Sequence, residues 1–176
     1  MKEKYHFRKA QDSDAEALDV LVNSAYRGES SRKGWTTEAD LLGGQRTDPQ
    51  GIRQLIQERE SVILLFEKDQ AILACVHLKK KDENTCYFGM FTVSPDLQKQ
   101  GIGKTLMKEA EIFAKNNWHC RLMEMTVITL RTELMNWYLK HGYEKTKEMR
   151  DFPYGDDRFG LPLRGDLKML VLRKSL

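Results

Sequence analysis

Two glycines, Gly101 and Gly103, follow Gln98-Lys99-Gln100 and precede Lys104-Thr105. Just upstream, Val93-Ser94-Pro95 closes an apolar run, because proline cannot donate to a strand ladder. Downstream, Leu106, Met107, Ala110, Phe113 and Ala114 recur on one helical face. Glycines let backbone N–H groups come close to a bulky ligand, and the start of a helix adds positive partial charge. A strand, glycine turn and helix in this order suit a phosphate, with Lys99 and Lys104 alongside. The same residues also serve as a tight turn with no ligand. Two known phosphate motifs fit poorly. A P-loop has glycine where Gln98 stands, and the dinucleotide fingerprint needs a third glycine where Leu106 stands, although Glu124 lies about twenty residues on.

The elements that position this turn change character along the chain. A strand is expected over residues 5–9. Ser13-x-x-Glu16 forms a capping box for a helix whose apolar face is Ala17, Leu18, Leu21, Val22 and Ala25. Thr37 and Asp40 cap a short helix stopped by Gly43-Gly44, and Asp48-Pro49 starts another that buries Ile52, Leu55 and Ile56. Residues 61–67, 71–78 and 85–93 are rich in β-branched and aromatic side chains and are separated by short polar turns, as in antiparallel hairpins. A helix over 103–116, a strand over 121–128 and a helix over 130–141 follow, the last stopped by Gly142. Strands over 143–149 and 167–173 flank a Gly- and Pro-rich loop, 151–166. No repeat or linker interrupts the series. The expectation is one domain over 1–176, a mixed α/β fold with a mostly antiparallel sheet and helices on both faces.

Composition narrows the function. Lys and Arg number 29 against 26 Asp and Glu in 176 residues, a net charge of +3. That excess suits a small anionic ligand and is too slight for a nucleic-acid stripe. The first residues lack the apolar core of a secretory signal, and the longest apolar stretches, 62–66 and 71–76, fall far short of the ~20 residues of a membrane span. Cys75, Cys86 and Cys120 have no metal-ligand spacing and are expected as buried thiols in a reducing compartment. A cytoplasmic protein without a metal is expected.

The segment from Val93-Ser94-Pro95 to Gln98-Lys99-Gln100-Gly101-Ile102-Gly103 resembles the acetyl-CoA signature of the GNAT family of N-acetyltransferases. That signature is Gln/Arg-x-x-Gly-x-Gly/Ala after a strand ending in Val-x-Pro. Trp137-Tyr138-Leu139-Lys140-His141-Gly142-Tyr143 is similar to the family's aromatic-Tyr-x-x-x-Gly-aromatic at the end of its last helix. The likeness is firm over residues 61–143 and looser elsewhere. It implies a sheet splayed at its middle and acetyl-CoA as acetyl donor. The diphosphate would lie on the main chain of Gln98, Lys99, Gln100, Gly101, Ile102, Gly103 and Lys104, with pantetheine along Phe91, Thr92 and Val93. Gly89 would mark a bulge whose N–H polarises the thioester carbonyl. Tyr138 would be the general acid, although its helical face, shared with Leu130, Leu134 and Trp137, equally fits a core tyrosine.

Two departures stand out. Many members carry a basic carboxylate on the strand before the turn, yet none lies between Cys86 and Val93. Glu124 is the substitute, unless it merely pairs with a cation. Many members also have an asparagine seven residues before the tyrosine, where Arg131 stands; it is expected either to reach a CoA phosphate or to sit at the helix start. For the acceptor, residues 26–46 and 151–166 offer Tyr26, Trp35, Arg46 and Tyr154. Aromatic walls with a guanidinium bind an amine whose other end is anionic, while loop solvation and packing account for the same residues. The expected activity is acetylation of a small polar amine by direct attack in a ternary complex. Alternatives are a protein or peptide acceptor, a non-catalytic acyl-CoA-binding module and a nucleotide hydrolase. Exposed C-terminal strand edges are compatible with a homodimer.

Overall fold

A computed structural model describes residues 5–176. Along the chain run β1 (His6–Lys9), α1 (Ala15–Tyr26), α2 (Gly28–Ser31), β2 (Leu42–Gly43), α3 (Pro49–Gln57), β3 (Ser61–Lys68), β4 (Ala71–Lys80) and β5 (Thr85–Val93). Then come α4 (Ile102–Trp118), β6 (Leu122–Ile128), α5 (Thr132–Lys140), β7 (Glu144–Asp151), β8 (Leu161–Pro162) and β9 (Lys168–Ser175). Seven strands form one sheet in the order β1-β3-β4-β5-β6-β9-β7. Every pairing is antiparallel except β5 with β6. Leu78, Phe88, Leu106 and Met123 pack on the α4 side, while Leu18, Val22, Ile52 and Leu65 pack on the α1 and α3 side. The chain is thus a mixed α/β fold with helices on both faces, as expected.

Local chemistry departs from the expected starts at two places. Asp14, not Ser13, holds the first turn: its carboxylate accepts the Gln11 N–H at 2.7 Å, and one 3-10 turn leads into α1. The helix expected after Thr37 does not form. The Thr37 hydroxyl accepts the Ala39 N–H at 3.1 Å, bending the chain, and Leu42–Gly43 pairs instead with Leu161–Pro162. A short helix appears earlier, as α2. Asp48 caps α3 as expected, accepting the Gly51 N–H at 2.7 Å with Pro49 in the first turn. Gly142, at φ +92°, closes α5 by donating to the Leu139 carbonyl.

Two irregularities of β5 shape the site. Its parallel pairing with β6 covers only Thr85–Tyr87 against Leu122–Glu124, after which the ladder ends and the two strands part. Opposite β4, Cys75 faces Thr92 and His77 faces Gly89, so β5 carries one extra residue. That residue is a bulge, and the strained position is Met90 at φ +48°, not Gly89. Gly89 is small for another reason: a Cβ there would come 2.5 Å from the Tyr87 ring. The bulge shifts the alternation of the strand. Cys86, Phe88, Phe91 and Val93 all pack on the α4 side, while Met90 joins the α1 side.

Candidate active site

The glycine turn opens α4 in the manner its sequence demands. Gly101 is the N-cap at φ +83°, and a Cβ there would meet nothing within 4 Å. The turn therefore needs a left-handed residue and presents an open face. Gly103 is tight instead, since its Cβ would stand 3.3 Å from Phe91 Cζ. The first N–H groups of α4 have no partner within the helix and front a cleft of about 550 Å³, flanked by Lys99 and Lys104. Ile102 is buried and anchors the helix, and Gln100 is exposed outside the cleft lining.

The free edge of β5 forms one wall. Ser94 N–H donates to Leu73 O at 2.9 Å, which makes Val93–Ala74 a non-hydrogen-bonded pair. The N–H and C=O of Val93 therefore point away from β4, on the side where β6 has parted, and the Phe91 carbonyl is also off that ladder, since it accepts the Tyr26 hydroxyl. Thr92 is turned the other way: its main chain is spent on Cys75 and its side chain is buried. The expected contact with Thr92 is corrected on that ground. The Phe91 carbonyl accepts the Tyr26 hydroxyl at 2.5 Å, and that of Val93 accepts Gln98 Nε2 at 3.2 Å.

Gln98 does more than line the cleft. Its Oε1 accepts the Trp35 N–H at 2.9 Å and its Nε2 donates to Thr36 Oγ1 at 2.9 Å, fastening this segment to the turn. Trp35 consequently lies over the cleft, 6.1 Å from the Trp137 ring, and not in the acceptor region where the sequence placed it. His141 also lines the cleft, with its ring 4.1 Å from that of Trp137 and its Nδ1 2.7 Å from the Trp137 carbonyl. These α5 residues lay inside the second motif but were not assigned to the site. Their i, i+4 spacing was the available signal.

Across Phe91 and Leu134, which line both cavities, lies a second pocket of about 150 Å³. Tyr138 is buried there among the rings of Phe88, Phe91, Trp137 and Tyr143, and its hydroxyl has no hydrogen-bond partner among the described residues. Burial pushes its phenol well above the ordinary value and that of Tyr26 up to about 12. Both hydroxyls keep their protons at neutral pH.

Charge enters this pocket from four side chains. Glu38 accepts from Arg27 at 2.5 Å and from Arg131 at 2.8 Å. Burial alone would raise its carboxyl, but Arg131, Arg46 and Arg27 outweigh that and hold it below the usual range. Arg131 also donates to Thr36 O at 2.5 Å. Its guanidinium is engaged away from the glycine turn, which corrects the expected contact with a CoA phosphate. Arg46 lies over the Tyr26 ring at 5.5 Å and forms no ion pair among the described residues. Arg27 stands among the arginines of the segment 26–46 expected to serve the acceptor, whereas Glu38 was not assigned to the site from sequence. Their pairing joins positions eleven apart through a loop, and no short motif signals it.

Two further assignments are corrected. Glu124 is buried outside both linings, bound by Lys81, by Arg150 at 3.2 Å and by Arg173 at 2.9 Å. Burial tends to raise its carboxyl, yet the hydrogen bonds from Lys81 and Arg173 leave it lowered, so it is a poor base and a distant one. Tyr154 braces its own loop, accepting the Leu167 N–H at 2.8 Å and donating to Arg164 O at 3.0 Å. Phe152 and Phe159 of that loop line the pocket in its place. Burial holds Cys75 and Cys86 as thiols, up to about 12. Among the described residues no cluster of metal-binding side chains occurs and no helix is long and apolar enough to cross a membrane.

Residues 29–143 match the model of the acetyltransferase (GNAT) family. No curated protein matches the chain. Among solved structures it is similar to an N-acetyltransferase from Staphylococcus aureus Mu50, with a TM-score of 0.73 at 10% identity over 98% of this chain and 97% of that one. A GNAT family acetyltransferase from Elizabethkingia anophelis with acetyl-CoA bound gives 0.64 at 19% identity, over 99% and 100%. A ribosomal-protein-alanine N-acetyltransferase from Brucella melitensis gives 0.71 at 16%, over 97% and 99%. At such identities the likeness is one of fold.

Proposed function

Because the chain belongs to the acetyltransferase (GNAT) family and is an acetyl-CoA-dependent enzyme, we propose that it acetylates a small polar primary amine by direct attack in a ternary complex. Bound acetyl-CoA supplies an acetyl group already activated as a thioester. The chain fits it: the open face at Gly101 and the unpaired N–H groups of α4 suit a diphosphate, and the free edge of β5 suits the pantetheine amides. A main-chain N–H of the bulged segment Phe91–Val93 donates to oxygen where negative charge develops. Tyr138 Oη holds the proton that the departing thiolate takes up. Its raised pKa is matched in part, since the same apolar surroundings raise the thiol as well.

The observation that carries this reading is the junction of the two cavities at Phe91 and Leu134, with the unpartnered Tyr138 hydroxyl beside it. The small volume under Phe152 and Phe159 favours a small molecule over a peptide. No carboxylate of the pocket is free to act as base, because Glu38 is spent on two arginines. The amine then loses its proton to water or arrives neutral. An amine panel incubated with acetyl-CoA, with the free thiol detected, tests the proposal. Small polar amines should release thiol above the hydrolytic background. Release with peptides alone would replace the small acceptor by a protein one, and release that no amine raises above the hydrolytic background would overturn the small-amine acceptor.

A further inference from the structure

Three guanidiniums, Arg27, Arg46 and Arg131, line the smaller pocket against a single carboxylate, Glu38. That carboxylate is shared by Arg27 and Arg131, so the pair is one negative charge short. Arg46 has no ion pair among the described residues. A second observation points the same way. Arg27 is 5% exposed, and its Nε is a buried donor without any hydrogen-bond partner. Sealed beside Gly160, that donor has no acceptor of its own and adds to the positive surplus of the buried guanidinium. The lining side chains thus carry a net charge of +2, and two of the three guanidiniums, Arg27 and Arg131, are largely buried, where uncompensated charge is costly.

Resting on the reading that this pocket takes the amine, we propose that the acceptor carries two separate anionic groups, as a dicarboxylic amino acid does. One group pairs with Arg46 and the other offsets the deficit at Arg27 and Arg131. The frame between them is short, since the Arg46 and Arg131 guanidinium carbons lie 5.5 and 5.8 Å from the same Tyr26 ring centre. The Tyr26 hydroxyl reaches Phe91 O at the bulge, so the anionic end of the acceptor and the reacting end sit on one side chain's length. A single-charged amino acid leaves the pocket positive, and a neutral amine leaves it more so.

The test uses acceptors that differ in charge: alaninamide, alanine, aspartate and aminomethylphosphonate, at saturating acetyl-CoA, with aspartate binding followed separately by calorimetry. kcat/KM should rise with each negative charge, at least tenfold from alaninamide to aspartate. Aspartate should exceed aminomethylphosphonate, whose charge sits on one group. Arg46→Met should bring aspartate down to the level of alanine while the KM for acetyl-CoA stays the same, which also reports that the variant is folded. Alaninamide within twofold of aspartate overturns the inference and leaves small-amine acetylation standing. Aspartate that binds in an Arg46-dependent way but is never acetylated supports the inference and removes that reading. Neither binding nor turnover with any of the four overturns both.

Discussion

The cleft at the glycine turn and the smaller pocket proposed for the acceptor share two residues and differ in what they are made of. Around Gly101 the groups offered to a diphosphate and to amides are main chain, the unpaired N–H groups of α4 and the free edge of β5, under a cover of Trp35, Trp137 and His141. Around Arg46 it is side chains, drawn from α1, the loop before α2, the segment near Glu38, the start of α5 and the loop after β7. A main-chain surface recognises a group common to many ligands and tolerates drift in the residues that bear it. A side-chain surface can be rebuilt by single substitutions. The first suits an invariable donor, the second an acceptor that differs from one enzyme to another.

Three experiments probe that contrast. The largest effect is expected where the two surfaces meet. Tyr138→Phe should lower kcat by about 10²-fold, the usual scale for losing a general acid, and leave the KM for acetyl-CoA within twofold. A steady-state assay decides, and an unchanged kcat removes Tyr138 from the chemistry. Next comes the main-chain surface. Gly101→Val forces a β-branched residue to φ +83°, a strain of about 1–2 kcal/mol, so acetyl-CoA should bind about tenfold more weakly by calorimetry. Acceptor KM should hardly move. A Gly101→Val protein that binds normally would mean the cleft is not made as described.

The smallest catalytic effect belongs to a residue outside both surfaces. Glu124→Gln should keep kcat within twofold yet destabilise by about 1–3 kcal/mol at neutral pH, because a carboxylate bound by three cations is lost. The folded carboxyl is held low, so its contribution is present above the unfolded pKa and disappears as pH falls through the acid range. The gap in Tm between the two proteins should therefore narrow on acidification. A large fall in kcat would restore Glu124 as a catalytic group.

The same contrast explains how much was legible in the sequence. Gly101, Gly103, Pro95 and Gly142 act through local geometry, so the turn, the strand end before it, the helix after it and the end of α5 were foreseeable from neighbours in the chain. Binary patterning placed the strands and the helices on both faces. The pocket was largely hidden because Glu38 meets Arg131 across 93 positions, and only the fold brings them together. Trp35 was assigned to the other cavity for a related reason: the Gln98 side chain that fixes its position lies 63 positions away in the chain. Tyr154 and Glu124 were chosen by type, as an aromatic in a loop and an acid in an apolar strand. Both types also serve as internal braces, and here they do.

The extra residue at Met90 has a consequence for how such an enzyme is inherited. Delete it, and alternation runs unbroken from Phe88 to Val93, with Phe91 and Val93 still on the α4 side, but the bulge that bends β5 is gone. No series of substitutions passes gradually between the two arrangements, because half a residue cannot be inserted. Descendants of this chain can therefore exchange its acceptor one amino acid at a time, whereas the odd-numbered step in β5 is either kept whole or lost together with the reaction.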